Sequence, residues 1–129
     1  MNHLRGEEMG AMEVTLVTVN AVAALVSGGS SALGAARPGL ALPSGEAVTA
    51  GVDFYARVYA VRAIPLSLAV IAALVTADAA AIVPLLIVAG AVQAGDAALG
   101  ITRRVPGMAV GGGVLMLVHL LSALWYATH

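Results

Sequence analysis

AAAIVPLLIVAGAVQAGDAALGI, residues 79–101, decides the class of this chain. One charge, Asp96, and one amide, Gln93, interrupt an otherwise apolar run. A bilayer core of about 30 Å needs roughly 20 apolar residues of helix, and this stretch has the length. Working outward, residues 11–34, 53–76 and 107–127 have the same character. Overall, 60% of residues are hydrophobic and 10% charged, which is a membrane composition. The expected fold is all-α: an integral membrane, up-down four-helix bundle in one domain, residues 1–129.

The breaks between spans support that topology. Ala77-Asp78 and Thr102-Arg103-Arg104-Val105-Pro106 are short turns, so helices 2, 3 and 4 are antiparallel neighbours. Residues 35–52 form the longest connection, broken by Pro38, Pro43 and three glycines. Its leucines and alanines suit an interfacial loop or a lid over the bundle mouth. A signal peptide is the competing reading of residues 14–36. It is disfavoured because Glu7, Glu8 and Glu13 outweigh Arg5 in the n-region. Arg37, Arg103 and Arg104 flank the first and third connections, and only Arg5 flanks the other side. The positive-inside rule then places loops 1 and 3 in the cytoplasm, with the plasma (inner) membrane as the expected location.

Composition excludes several functions. There is no cysteine, so disulfides, thiolate metal sites and cysteine nucleophiles are out. All six basic residues are arginines, so no lysine Schiff base is available. A net charge of −1 argues against nucleic acid, which needs a basic patch. His3, His119 and His129 are scattered, and no metal site or other cofactor is expected. Phosphate-loop and nucleophile-elbow motifs are absent.

What remains is a set of polar residues inside the spans. An ionisable group at bilayer depth costs about 3 kcal/mol or more, so it marks a sheltered site by default. From the helical rise, Arg57 and Asp96 lie roughly 8 Å below the face bearing loops 1 and 3, Arg62 roughly 15 Å and His119 about 18 Å. Asn20 lies at a depth similar to His119. Glu13, Asn20 and Ser27 are seven apart on helix 1; Tyr55, Tyr59 and Arg62 share a face of helix 2. Gln93 and Asp96 share one of helix 3. Asp53 and Arg57 stand at i and i+4 and can pair. The freed carbonyl of Val61 opposite Pro65 is a partner for Arg62, and an Arg62–Asp96 pair would satisfy two buried charges at once. His119 suits a bond to Asn20 or to a carbonyl, or proton transfer. Glu13 is interfacial unless it turns inward. Trp125 and Tyr126 mark the last membrane interface.

The run Phe54-Tyr55-Ala56-Arg57-Val58-Tyr59-Ala60-Val61-Arg62, with Gly95-Asp96 and His119, resembles a family of small four-helix membrane proteins catalogued only as a domain of unknown function. The resemblance covers about residues 51–126. It implies the same fold and a shared polar cluster of two arginines, an aspartate and a histidine, but no activity. Ala60 and Ala63 depart from its pattern, which has a glycine and often an acidic residue there.

Three functions fit these residues. The first is a cofactor-independent intramembrane enzyme for a lipophilic small molecule, such as a terpenoid or polyketide, working by isomerisation, epoxide opening or cyclisation. In it Asp96, Arg62, His119 and Glu13 are the catalytic candidates; Asn20, Tyr55, Arg57, Tyr59, Gln93 and Trp125 are the substrate contacts. The second is an oligomeric transporter or channel subunit. The small-residue faces of helices 3 and 4 would permit such a homo-oligomer. The third is a structural or accessory membrane protein. The enzyme is favoured on the expectation that the polar residues gather at one depth.

Overall fold

The computed structural model describes residues 2–129, with side chains described from Gly10 onward. Four helices account for nearly all of it: α1 Asn2–Ala36, α2 Ala50–Thr76, α3 Ala79–Thr102 and α4 Pro106–Thr128. Each is long and apolar enough to cross a membrane, α1 from Gly10, and the chain is an integral membrane protein in contact with the lipid bilayer. The expected spans hold, with two shifted starts. α1 begins at Asn2 instead of residue 11, since no proline interrupts the polar segment. α2 begins three residues before the expected 53, because Thr49 caps it by accepting the Val52 amide at 3.2 Å.

Local chemistry sets the other ends. Asp78 accepts the Ala80 amide at 3.0 Å and caps α3. Pro106 opens α4 at a position where its missing N–H has no helical partner to lose. α3 closes with Arg104 in the left-handed region, φ 56°. The Val105 amide there returns to the Gly100 carbonyl at 2.8 Å, and the Arg104 amide to Ile101 at 3.2 Å. That pairing satisfies carbonyls the helix end would leave bare. Ala77 ends α2 in the same strained region, φ 53°, ψ 31°. A β-carbon there costs about 1 kcal/mol, so Ala77→Gly is expected to stabilise the fold by about that much. The check is a rise in the unfolding midpoint in detergent.

The helices pair as two hairpins. α1 lies along α2 and α3 along α4; the hairpins meet mainly through α2 and α3, while α1 barely touches α4. Small residues let backbones approach. A β-carbon on Gly112 would stand 2.8 Å from the Ala97 amide nitrogen and 2.9 Å from the Gln93 carbonyl. Gly90 is likewise filled by Leu120, so the small face around it is used inside the chain.

The core is the reverse of a water-soluble one. Its buried apolar residues are mostly alanines, among them Ala24, Ala63, Ala73, Ala89 and Ala123, with Val70, Leu74, Ile82 and Leu86. Large aliphatic side chains such as Leu25, Val61, Val75 and Leu121 point outward. Asn20, Ser31, Ser67, Gln93, His119 and Ser122 are buried instead. In hydrocarbon nothing drives leucine inward, whereas polar groups must find each other.

Candidate functional site

At the end bearing the first and third connections the hairpins part around a cleft of about 890 Å³. Its walls come from the last turns of α1, the first turns of α2, the second half of α3 and the first turns of α4. Pro38 and Ala41, from the short 3₁₀ turn Pro38–Ala41, and Thr49 form part of the rim. The first connection, expected as an interfacial loop or a lid over the mouth, therefore borders the cleft. Most of the lining is apolar, including Val26, Val52, Met108 and Leu115. The polar exceptions are few: three α1 serines, Thr49, Tyr55, Tyr59, Gln93 and Asp96.

Tyr59 and Asp96 form the central contact. The phenol donates to Asp96 Oδ2 at 2.6 Å, joining α2 to α3 across the cleft. A hydroxyl-to-carboxyl bond of this length is at the short, strong end of the range. Oδ1 of the same carboxylate makes no hydrogen bond among those described. One turn deeper, Gln93 Nε2 donates to Ser27 Oγ at 3.1 Å and ties α3 to α1. Beneath that bridge free space shrinks to about 10 Å³, bounded by Ser27, Ser67, Gln93 and His119. That is room for about one water molecule.

Below the void lies a second, fully enclosed set. Asn20, His119 and Ser122 are 0%, 1% and 2% exposed. Asn20 Nδ2 donates to Ser122 Oγ at 2.7 Å and to the Leu16 carbonyl at 2.8 Å. The Ser122 hydroxyl in turn donates to the Val118 carbonyl at 2.7 Å. The Asn20 carbonyl is 2.9 Å from His119 Nδ1. An amide oxygen only accepts, so Nδ1 carries the hydrogen. Every donor in this set has an acceptor, as an enclosed polar network requires. It fastens α1 to α4, the pair that otherwise hardly touches.

The expected site is therefore split in two tiers and loses several members. Tyr55, Tyr59, Gln93 and Asp96 line the cleft; Asn20 and His119 sit below it. The expected Asn20–His119 bond is present, but the polar residues do not gather at one depth. Arg62 is not the partner of Asp96. It is exposed, and its Nε donates at 3.3 Å to the Val58 carbonyl of its own helix, not to Val61. A long guanidinium stem satisfies itself along the helix more cheaply than by crossing the bundle. Arg57 is also turned away, held by Asp53 at 3.0 and 3.2 Å. Glu13 is exposed towards the opposite end. Trp125 stacks on His129 at the far end of α4, with ring centroids 5.0 Å apart, and does not line the cleft. The sequence gives little sign of the α1 serines: Ser27 is visible only as part of a stripe, and Ser31 only as the end of the run Ser27-Gly28-Gly29-Ser30-Ser31.

Among the described residues no basic side chain lines the cleft, so none is placed there to hold a developing oxyanion. It offers one carboxylate, one phenol bonded to it and an apolar volume. Among the described residues no group of three histidine, cysteine or acidic side chains could hold a metal. Such a site can give and take a proton beside a lipophilic molecule. Comparison with protein-family models, curated proteins and solved structures finds no match for this chain.

Proposed function

We propose that this chain is a cofactor-independent intramembrane enzyme that performs acid–base chemistry on a lipophilic small molecule held between its two hairpins. The observation that carries the reading is the shape of the free space: about 890 Å³ above the Gln93–Ser27 bridge and about 10 Å³ below it. A transport route needs a path continuing to the other face, whereas a pocket with a floor suits a bound substrate. Asp96 is the proton-transfer group, giving a proton from one carboxyl oxygen and taking one back at the end of the reaction. Tyr59 holds the other oxygen and fixes the carboxyl plane. Isomerisation, epoxide opening and cyclisation all fit, since each needs proton transfer and no redox partner.

Arg37, Arg103 and Arg104 lie in the connections at the cleft end of the bundle. By the positive-inside rule that end faces the cytoplasm, and the plasma membrane is the proposed location. The cleft then draws its substrate from the cytoplasmic leaflet. Ala91 and Gly95 stay exposed on α3, and a homo-oligomer would pack through that face.

The test starts from the purified protein in lipid nanodiscs. Molecules extracted with it are identified by mass spectrometry and returned to fresh protein. The reading expects one of them to convert to a product of equal mass, or of mass raised by one water. A protein that carries no lipophilic guest and converts none of a terpenoid and polyketide panel would contradict it.

A further inference from the structure

Charge is distributed unevenly around the cleft. Among the described residues Asp96 is the one carboxylate in its lining, and no arginine lines it. Arg57 is neutralised by Asp53 on the outer face of α2, Arg62 turns to the Val58 carbonyl, and Arg37, Arg103 and Arg104 are exposed at the ends of their helices. The one partner of Asp96 among the described residues is a neutral phenol. A carboxylate in apolar surroundings with no counter-ion of its own is a site that a cation completes. Two of the chain's three tyrosines, Tyr55 and Tyr59, line the same cleft, and aromatic faces attract cations.

From this placement we infer that the cleft selects positive charge: it binds lipophilic monocations, and the reaction it hosts passes through a cationic species. The inference rests on the enzyme reading above and narrows its chemistry. Enolate-type isomerisation needs a stabilised oxyanion, and among the described residues no cation lines the cleft to provide it. Epoxide- or alkene-initiated cyclisation develops positive charge instead. That sequence starts from the protonated form of Asp96, whose proton moves to the epoxide oxygen as its C–O bond breaks, or to an alkene carbon as the π bond is spent. The carboxylate left behind faces the carbocation. An internal C=C pair closes the C–C bond, and loss of a C–H proton to Asp96 restores the acid. No oxidant, reductant or second substrate enters, and the product is an isomer of the substrate. Anionic amphiphiles such as fatty acids or phospholipids meet an uncompensated carboxylate and are rejected.

The test uses two hydrophobic ions of near-equal shape and opposite charge, tetraphenylphosphonium and tetraphenylborate. Saturable binding is measured by equilibrium dialysis of the full chain in phosphatidylcholine nanodiscs, corrected for protein-free discs. The expected result is saturable phosphonium binding and none for the borate. Asp96→Asn weakens phosphonium binding at least tenfold, and Leu115→Trp, which fills the cleft, abolishes it. Equal binding of both ions, lost in Leu115→Trp, would overturn charge selection and leave the cleft as a ligand site. Phosphonium binding untouched by both variants would place the ion elsewhere and overturn the inference. No saturable binding of either ion would overturn it too; the enzyme reading would fall separately, if the extracted molecules are not converted.

Discussion

Asp96→Asn is expected to lower turnover by about 10³-fold while the protein still inserts and keeps its four helices. Asparagine preserves the shape and still accepts the Tyr59 hydroxyl, which bonds Asp96 at 2.6 Å. It cannot gain or lose the catalytic proton. Tyr59→Phe removes only the anchor of that carboxyl and is expected to cost less, roughly tenfold, through misplacement of the acid. Arg62→Ala serves as the contrast. Because Arg62 is exposed and bonded to its own helix, its loss is expected to leave turnover unchanged. The assay is conversion of the extracted lipophilic substrate in nanodiscs, normalised to folded protein. Full activity in Asp96→Asn would remove Asp96 from the chemistry, and loss of activity in Arg62→Ala would restore the arginine to it.

The largest effect on stability is expected at Asn20. Its amide meets His119 Nδ1, Ser122 Oγ and the Leu16 carbonyl within 2.9 Å, in a region with no exposure. Asn20→Ala removes all three partners and strands the hydrogen on His119 Nδ1. A single hydrogen bond in a membrane protein is worth about 0.6 kcal/mol on average, because the unfolded chain also finds partners in lipid. A buried donor left without an acceptor adds roughly 1–3 kcal/mol. The sum is a loss of about 2–4 kcal/mol. Thr18→Ala on the same helix is the control: its hydroxyl bonds only the Val14 carbonyl, on an exposed face, and its loss is expected to cost under about 0.5 kcal/mol. Reversible unfolding in mixed detergent micelles separates the two. Equal effects would show that the Asn20 network does not hold α1 against α4.

The spans were legible because bilayer thickness imposes a length and lipid imposes a composition, and both are properties of single segments. The Asn20–His119 bond was legible as one of two partners for the histidine, because two polar residues lie at matching depth; that Asn20 and not a backbone carbonyl takes the bond is read from the structure. Arg62 was misread for a physical reason. Spacing places it on one face with Tyr55 and Tyr59, but it does not say how far that face reaches towards a neighbour. The buried face of α2 is set by the small residues Ala60, Ala63, Ser67 and Ala73 with Val70 and Leu74. The Tyr55–Tyr59–Arg62 face lies at its margin, lining the cleft near the mouth and facing outward one turn deeper. Glu13 was grouped with Asn20 and Ser27 by a seven-residue repeat. A straight helix drifts about 20° per heptad, so such a stripe slides off the interface. The cleft had no signal in any single segment. It arises where two hairpins diverge, while Gly112 keeps α4 close against α3.

A double-mutant cycle on Asp96 tests the central claim most directly. Stability in micelles is measured for Asp96→Ala, which removes the acceptor altogether, for Tyr59→Phe and Arg62→Ala, and for the two pairwise combinations with Asp96→Ala. If the carboxylate is held by the phenol across the cleft, Tyr59 and Asp96 couple by about 1–2 kcal/mol and Arg62 and Asp96 by less than about 0.5. Coupling of Asp96 to Arg62 with none to Tyr59 would mean that the site contains a cation, and both the cleft chemistry and its preference for positive charge would fall with it.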